Sequence, residues 1–143
     1  QRITLMDRIK KHFNGELKGK KIAVWGLAFK PHTDDIREAP ALYNIEYLLE
    51  EGAIVTTHDP EAMENVKKVL GEKISYFSNP YDAAEGADAV FIATEWPEFR
   101  SPDFERLSAL MKNKVIFDGR NLYDVNTMKE LGFTYTSIGR KSV

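Results

Sequence analysis

Residues 21–38, KIAVWGLAFKPHTDDIRE, contain the strand and the loop from which the predicted fold is built. The apolar run Ile22–Trp25 has no polar alternation, which is typical of a strand buried on both faces in a parallel sheet. Gly26 marks the turn at the end of this strand, because a residue without Cβ adopts backbone angles that other residues avoid. The loop that follows carries Phe29, Lys30 and Arg37. A strand, a glycine turn, cations and a helix start together predict a site for an anionic ligand.

Strands and helices alternate on both sides of this stretch. Strands are predicted at residues 20–25, 54–58, 74–77, 89–93, 115–117 and 133–138, the last at a sheet edge. Helices are predicted at residues 1–13, 40–51, 60–70, 79–86, 101–111 and 125–131. This order predicts an α/β fold with an open, mostly parallel, Rossmann-like sheet and helices on both faces.

The first helix is amphipathic, with a single apolar face that ends at Asn14-Gly15. This face carries Ile3, Met6, Ile9 and Phe13. The chain begins with Gln1 and enters the helical pattern directly, so we expect a fragment of a longer protein. The sequence is equally compatible with a helix that continues into another segment and with one that packs on this domain.

Composition narrows the classes of function. A chain of 143 residues with 43% hydrophobic residues is long enough for one domain with a core. The net charge of −2 argues against a nucleic-acid partner. No apolar run approaches the roughly 20 residues that cross a bilayer, and no signal peptide is visible, so we expect a cytoplasmic protein without a membrane partner.

The absence of cysteine excludes disulfides, thiolate zinc sites and a cysteine nucleophile within this chain. His12, His32 and His58 lack the spacing of metal ligands, so no metal site is predicted.

Cations follow two of the buried strands. After the first strand, Lys30 and Arg37 are candidates for binding anionic oxygens, and Phe29 for packing on a ring. The alternative is a solvated loop in which these cations pair with Asp34, Asp35 or Glu38, and the first loop alone does not decide between the two. After the fifth strand, Asp118-Gly119-Arg120 offers a forked guanidinium suited to phosphate or carboxylate. Two cationic exits from neighbouring strands favour the anion site.

The acid at the end of the second strand does not match a dinucleotide site. In dinucleotide-binding folds such an acid holds a ribose about 20 residues after a G-x-G-x-x-G motif. Here Asp59 lies 33 residues after Gly26 (59 − 26), and Gly26 has no companion glycines. Helix capping explains Asp59 better. The exit at residues 94–99, TEWPEF, is interpreted as a packed loop rather than a pocket wall.

Three motifs resemble those of a known family. They are GLAFKPxTDDxREAP at residues 26–40, TEW at residues 94–96 with Phe99, and FDGRN at residues 117–121. Together they resemble the C-terminal, UDP-binding domain of the UDP-glucose 6-dehydrogenase branch of the nucleotide-sugar dehydrogenases. The resemblance extends from Lys20 to Arg140. It implies an enzyme with an N-terminal NAD-binding domain, a long central helix and this domain, which oxidises UDP-glucose to UDP-glucuronate through a cysteine-linked intermediate.

The resemblance also implies roles for single residues. Phe29, Lys30 and Arg120 would bind the UDP-sugar, and Arg37 would reach toward NAD held mainly by another domain. Residues 1–15 would be the end of the central connecting helix, through which the family forms homodimers, and residues 19–143 the UDP-sugar-binding domain. The catalytic cysteine, its supporting residues and the glycine-rich NAD loop of the family have no counterpart here. The chain alone is therefore expected to bind UDP-glucose without catalysing its oxidation.

Two alternatives remain open at this point. The related UDP-N-acetylmannosamine and GDP-mannose dehydrogenases share the first motif in similar form. A stand-alone, non-catalytic nucleotide-binding module would use the same loop and would also lack catalytic residues.

Overall fold

The structure, a computed structural model, describes residues 2–138, with side chains described from Leu5 onward. Gln1, the side chain of Ile3 and residues 139–143 of the predicted domain lie outside the described residues.

Six strands form one parallel sheet. They are β1 (Lys21–Trp25), β2 (Ile54–His58), β3 (Ser75–Tyr76), β4 (Ala89–Ile92), β5 (Val115–Asp118) and β6 (Thr134–Ser137). Their order across the sheet is β3-β2-β1-β4-β5-β6, and every neighbouring pair is parallel. In the centre, Val24 is in register with Thr57 on one side and Phe91 on the other. The predicted α/β, Rossmann-like sheet is confirmed, including the edge position of the last strand.

The described residues contain seven α-helices, of which the first precedes β1 and the other six connect the strands: α1 (Arg2–His12), α2 (Pro40–Glu50), α3 (Met63–Leu70), α4 (Pro80–Ala84), α5 (Pro97–Arg100), α6 (Phe104–Leu110) and α7 (Val125–Glu130). A proline opens α2, α4 and α5, where its fixed φ suits the first turn and its missing N–H is not needed. Asn79, Asp103 and Asp124 cap α4, α6 and α7 by accepting backbone N–H bonds. The sequence interpretation missed α5, and it began α3 at Pro60 rather than at Met63.

Alternation along β1 divides the core between the two faces of the sheet. Ile22 and Val24 lie on one face with the buried side chains of α1, α2 and α3. Ala23 and Trp25 lie on the other face with buried side chains of α4, α5, α6 and α7. The predicted helices on both faces are therefore present.

Helix α1 packs directly on this domain. Leu5, Met6 and Ile9 are buried in the first of the two core clusters. The sequence left open whether this helix packs on the domain, and the structure shows that it does. The continuation of residues 1–15 into a longer helix stays a prediction. Among the described residues no helix is both long and apolar enough to cross a membrane.

Candidate functional site

The chain reverses its direction of growth across the sheet between β1 and β4. From β1 it builds outward through β2 to β3, and from β4 outward through β5 to β6. In open parallel sheets, ligands bind beside the carboxyl ends of the strands at such a reversal. The loops that follow β1, β4 and β5 meet there.

Gly26 allows the loops that follow β1 and β4 to come into close contact. Its φ of +99° is a conformation that L side chains rarely adopt, and a Cβ placed on it would lie 2.6 Å from the Cβ of Thr94. The Thr94 hydroxyl donates a 2.8 Å hydrogen bond to the carbonyl of Ala28. The glycine that the sequence indicated as a turn is thus also a point of close approach between two strands.

Asp59 holds the loop that follows β1 in place through side-chain hydrogen bonds. Its side chain is fully buried and accepts five hydrogen bonds. Oδ2 accepts from the amides of Leu27 and Ala28 at 2.6 and 3.1 Å, and from the indole Nε1 of Trp96 at 3.1 Å. Oδ1 accepts from the amides of Glu61 and Ala62, in the turn before α3.

Asp59 is not the N-cap predicted for this helix, because α3 begins at Met63 with Ala62 as its N-cap; its Oδ1 bonds close the turn before the helix instead. Both oxygens are engaged inside the protein, so the carboxylate is not free to hold a ribose. Sequence reasoning missed the bonds to residues 27, 28 and 96, because nothing local to Asp59 signals partners that far along the chain.

Asp118 organises the β5 exit in a similar way. This buried carboxylate accepts from the amides of Arg120 and Leu122 at 2.8 and 2.6 Å, and from the Tyr135 hydroxyl at 2.6 Å. The turn that carries Arg120 is therefore held against the end of β5. Nearby, burial raises the pKa of the Tyr123 hydroxyl well above its ordinary value, with the Asp118 charge as a further cause.

A cavity of about 160 Å³ opens between these exits. Its walls are mostly apolar, with polar groups from Asn44 and Arg120; the lining residues are Leu5, Phe29, Pro40, Asn44, Phe91, Ala93, Gly119, Arg120 and Ile138. Phe29 is 53% exposed, so its ring is available to a ligand. The structure thus brings Phe29 and Arg120, two of the predicted site residues, to one cavity.

Arg120 already has a carboxylate partner at the cavity. One of its terminal nitrogens, Nη2, lies 2.6 Å from Oε1 of Glu95, and the two side chains are 41% and 29% exposed. An ion pair this exposed contributes roughly 0.2–1 kcal/mol. An incoming phosphate can therefore share or replace Glu95 at little energetic cost.

Lys30 and Arg37 do not line this cavity. Lys30 is exposed and forms no ion pair with the described residues. Arg37 is exposed and binds Asp35 through Nε and Nη2, both at 3.0 Å. This hydrogen bonding lowers the pKa of Asp35 to about 2. The internal pairing that the sequence left open is present for Arg37 and absent for Lys30.

A larger groove of about 590 Å³ lies along α2 and the end of α3, shares Asn44 with the smaller cavity, and was not indicated by the sequence. Its charged lining consists of Glu46, Glu50 and Lys73. No loop that follows a strand end contributes to it, and neither does any predicted site residue. The smaller cavity is therefore the better candidate for the anion site. Within residues 5–138 there is no group of acidic or histidine side chains that could hold a metal.

Comparison with known proteins gives consistent matches. Residues 23–125 match the sequence model described as "UDP-glucose/GDP-mannose dehydrogenase family, UDP binding domain". A UDP-glucose 6-dehydrogenase of Pseudomonas aeruginosa is 44% identical, over 98% of this chain and 32% of the relative. A UDP-glucose 6-dehydrogenase of Rhizobium meliloti is 48% identical, over 88% of this chain and 29% of the relative.

Solved structures show the same similarity. The UDP-D-ManNAc dehydrogenase of Pyrococcus horikoshii is 33% identical with a TM-score of 0.74, over 97% of this chain and 30% of that chain. The chain thus spans about a third of the length of the proteins it matches.

Proposed function

The chain belongs to the UDP-glucose/GDP-mannose dehydrogenase family, and from this membership we propose that it is the UDP-sugar-binding C-terminal domain of an NAD-dependent UDP-glucose 6-dehydrogenase. The observation that carries the proposal is the meeting of Phe29 and Arg120 on one cavity at the reversal point of the sheet. We place the protein in the cytoplasm as part of the same proposal.

The site has the chemistry that a nucleoside diphosphate needs. A guanidinium carries five N–H donors, more than the single carboxylate of Glu95 engages, so donors remain for phosphate oxygens. Lys30, on the adjoining loop, forms no ion pair with the residues that the structure describes and adds a second positive charge for the diphosphate. Phe29 offers an exposed ring face on which a base or sugar can pack.

NAD does not fit a seat within this domain. The acid at the end of β2 is buried and saturated with internal hydrogen bonds, and the β1 loop has no G-x-G-x-x-G motif. We therefore propose that NAD, which would accept the hydride when bound, is held mainly by an N-terminal domain outside this chain. Arg37 is proposed to reach toward it after exchanging Asp35 for a cofactor oxygen.

Catalysis then requires residues from outside this chain. The chain contains no cysteine, so a thiol-linked intermediate needs a nucleophile from elsewhere in the same protein. We propose that this domain binds and orients the UDP-sugar and contributes no catalytic residue. We also propose that the whole protein forms a homodimer through a longer connecting helix, of which α1 is the last part.

Calorimetry of the 143-residue chain with UDP tests the binding proposal. We expect binding that weakens with added salt, because cation–phosphate attraction is screened. Arg120→Ala and Lys30→Ala should each weaken it, whereas Lys68→Ala, an exposed lysine in the last turn of α3, should not. In the whole protein the same two site variants should raise KM for UDP-glucose or abolish turnover. Unchanged affinity and kinetics in both would refute the site.

A related sugar specificity is the second candidate. The match to a UDP-D-ManNAc dehydrogenase over 97% of this chain favours it, because the same domain serves a protein named for a different sugar. Turnover of the whole protein with UDP-N-acetylmannosamine or GDP-mannose in preference to UDP-glucose would establish this alternative.

A further inference from the structure

Asn44 lies at the wall of the cavity, on α2. It follows Pro40 by one helical turn, which places both residues on the same side of the helix, and both line the cavity. Asn44 is only 5% exposed. It was not singled out by the sequence, since one asparagine within a helical run of apolar residues gives no local signal of a binding role.

The side-chain amide of Asn44 has no hydrogen-bond partner among the described residues, although their fully buried side-chain nitrogens and oxygens are all paired. The small exposure of Asn44 must therefore include its amide, and Asn44 lines both this cavity and the larger groove along α2. Around it the cavity is lined by apolar groups of Leu5, Phe91 and Ala93. A polar group in such surroundings is unfavourable unless something supplies the missing hydrogen bonds. Water can do so in the free protein, and a ligand can do so in the complex.

We propose that Asn44 is a specificity-determining residue that hydrogen-bonds a ring of the bound ligand at its edge. The inference rests on the proposed function, since it assumes that the UDP-sugar occupies this cavity. An amide presents one acceptor and two donors, which complements a ring with a hydrogen-bond donor beside an acceptor. The imide edge of a pyrimidine and the neighbouring hydroxyls of a sugar both have this pattern.

The size of the cavity limits what reaches Asn44. Pockets that enclose a whole drug-sized molecule usually measure about 300–1,000 Å³. This cavity measures about 160 Å³, so only one ring of a nucleotide-sugar enters it. Phe29 then packs against that ring, while Arg120 binds the phosphate next to it.

Two substitutions separate a ligand-binding role from a structural one. Asn44→Leu removes the amide and fills space, and Asn44→Ala removes it and leaves space. Because the amide has no hydrogen-bond partner within the described part of the chain, neither change should destabilise the fold strongly. We expect Asn44→Leu to raise Tm by about 2–4 °C, since leucine favours the helix and buries more apolar area. A purely structural asparagine would lower Tm in both variants.

Calorimetry measures the affinity of each variant for three probes: UDP, glucose 1-phosphate and UDP-glucose. Both variants should weaken binding about tenfold wherever Asn44 contacts the probe, the effect of losing one or two hydrogen bonds. Weakened UDP binding assigns the contact to the base, and weakened binding of only the two sugar probes assigns it to the sugar. Arg120→Ala is the reference for loss of phosphate binding. Glu46→Gln, on α2 but outside this cavity, is the control.

The outcomes distinguish this inference from the proposed function. If both Asn44 variants bind every probe like wild type while Arg120→Ala binds more weakly, the role of Asn44 is wrong and the proposed function stands. If Asn44→Leu alone weakens binding, the effect is steric and the inference is also wrong. If Arg120→Ala changes nothing, the proposed function fails. If wild type binds none of the probes, both fail.

Discussion

Asp59→Asn is expected to destabilise the fold strongly although it changes a single atom of the side chain. All five partners of Asp59 are hydrogen-bond donors. An asparagine keeps one acceptor oxygen and replaces the other with an NH₂ group, which cannot accept their N–H bonds. If the amide oxygen faces Leu27, Ala28 and Trp96, the NH₂ group faces the amides of Glu61 and Ala62. The opposite orientation leaves three donors unpaired.

The favoured orientation still leaves two amides without an acceptor, at about 1–3 kcal/mol for each buried one. Ala62 is fully buried, whereas Glu61 is exposed and its amide can find water. The three remaining bonds also lose their charge assistance, and relief from burying a charge offsets part of the loss. The net expectation is a loss of about 3 kcal/mol in the free energy of unfolding.

Urea denaturation followed by circular dichroism measures this loss. With a slope of about 1–3 kcal/mol per molar urea, the midpoint should fall by roughly 1–3 M. Asp103→Asn is the matched control, because Asp103 caps α6 through one amide bond and asparagine caps equally well. Its stability should stay within about 0.5 kcal/mol of wild type. In the NMR spectrum of Asp59→Asn, the indole N–H signal of Trp96 should move. A loss below about 1 kcal/mol with an unmoved indole signal would refute the reasoning.

Two further predictions concern the β1 loop. Gly26→Ala should cost about 3 kcal/mol or more in unfolding free energy by thermal denaturation, because its Cβ would lie 2.6 Å from Thr94 and its φ is +99°; an unchanged Tm would contradict the geometry. Arg37→Gln should raise the pKa of Asp35 from about 2 toward the usual value near 4, measured by NMR titration. Since the pKa is lowered in the folded state, the stabilisation from this pair is present above about pH 4 and is lost as the pH falls through about 2. An Asp35 pKa that is the same in both proteins would show that the pair does not form in solution.

Most strands and helices could be predicted from the sequence, because the patterns that reveal them depend on neighbouring residues alone. An unalternating run such as Ala89–Ile92 is buried on both faces in any parallel sheet, and Pro40 suits the first turn of a helix whatever packs around it. The missed helix α5 is four residues long and has no apolar period to detect. The late start of α3 was not visible in the sequence, because Asp59 and Pro60 belong to a turn before the helix, whose N-cap is Ala62 without a side-chain bond.

For the candidate site, the sequence predicted individual motifs but not the cavity that they form with other elements. The motifs around Phe29 and Arg120 are contiguous in sequence, and their meeting at one edge follows from parallel strands. The cavity itself could not be predicted, because its wall includes Leu5 from α1 and Asn44 from α2, and their positions depend on how helices pack on the sheet. The Glu95–Arg120 ion pair joins loops of two strands and is likewise visible only in three dimensions.

The two buried carboxylates explain why this Rossmann-like sheet would bind its ligand on one side of the reversal point. At the end of β2, the backbone amides in the turn before α3 could bind an external anion, but Asp59 already accepts hydrogen bonds from them. At the end of β5, Asp118 holds the backbone of the turn and leaves the Arg120 side chain pointing to the cavity. We therefore expect a negative group on a ligand to bind beside Arg120 at the end of β5 rather than at the end of β2. Under the proposed function, this type of sheet binds a UDP-sugar instead of a dinucleotide, because the acid at the end of β2 is bonded inside the protein and does not hold a ribose.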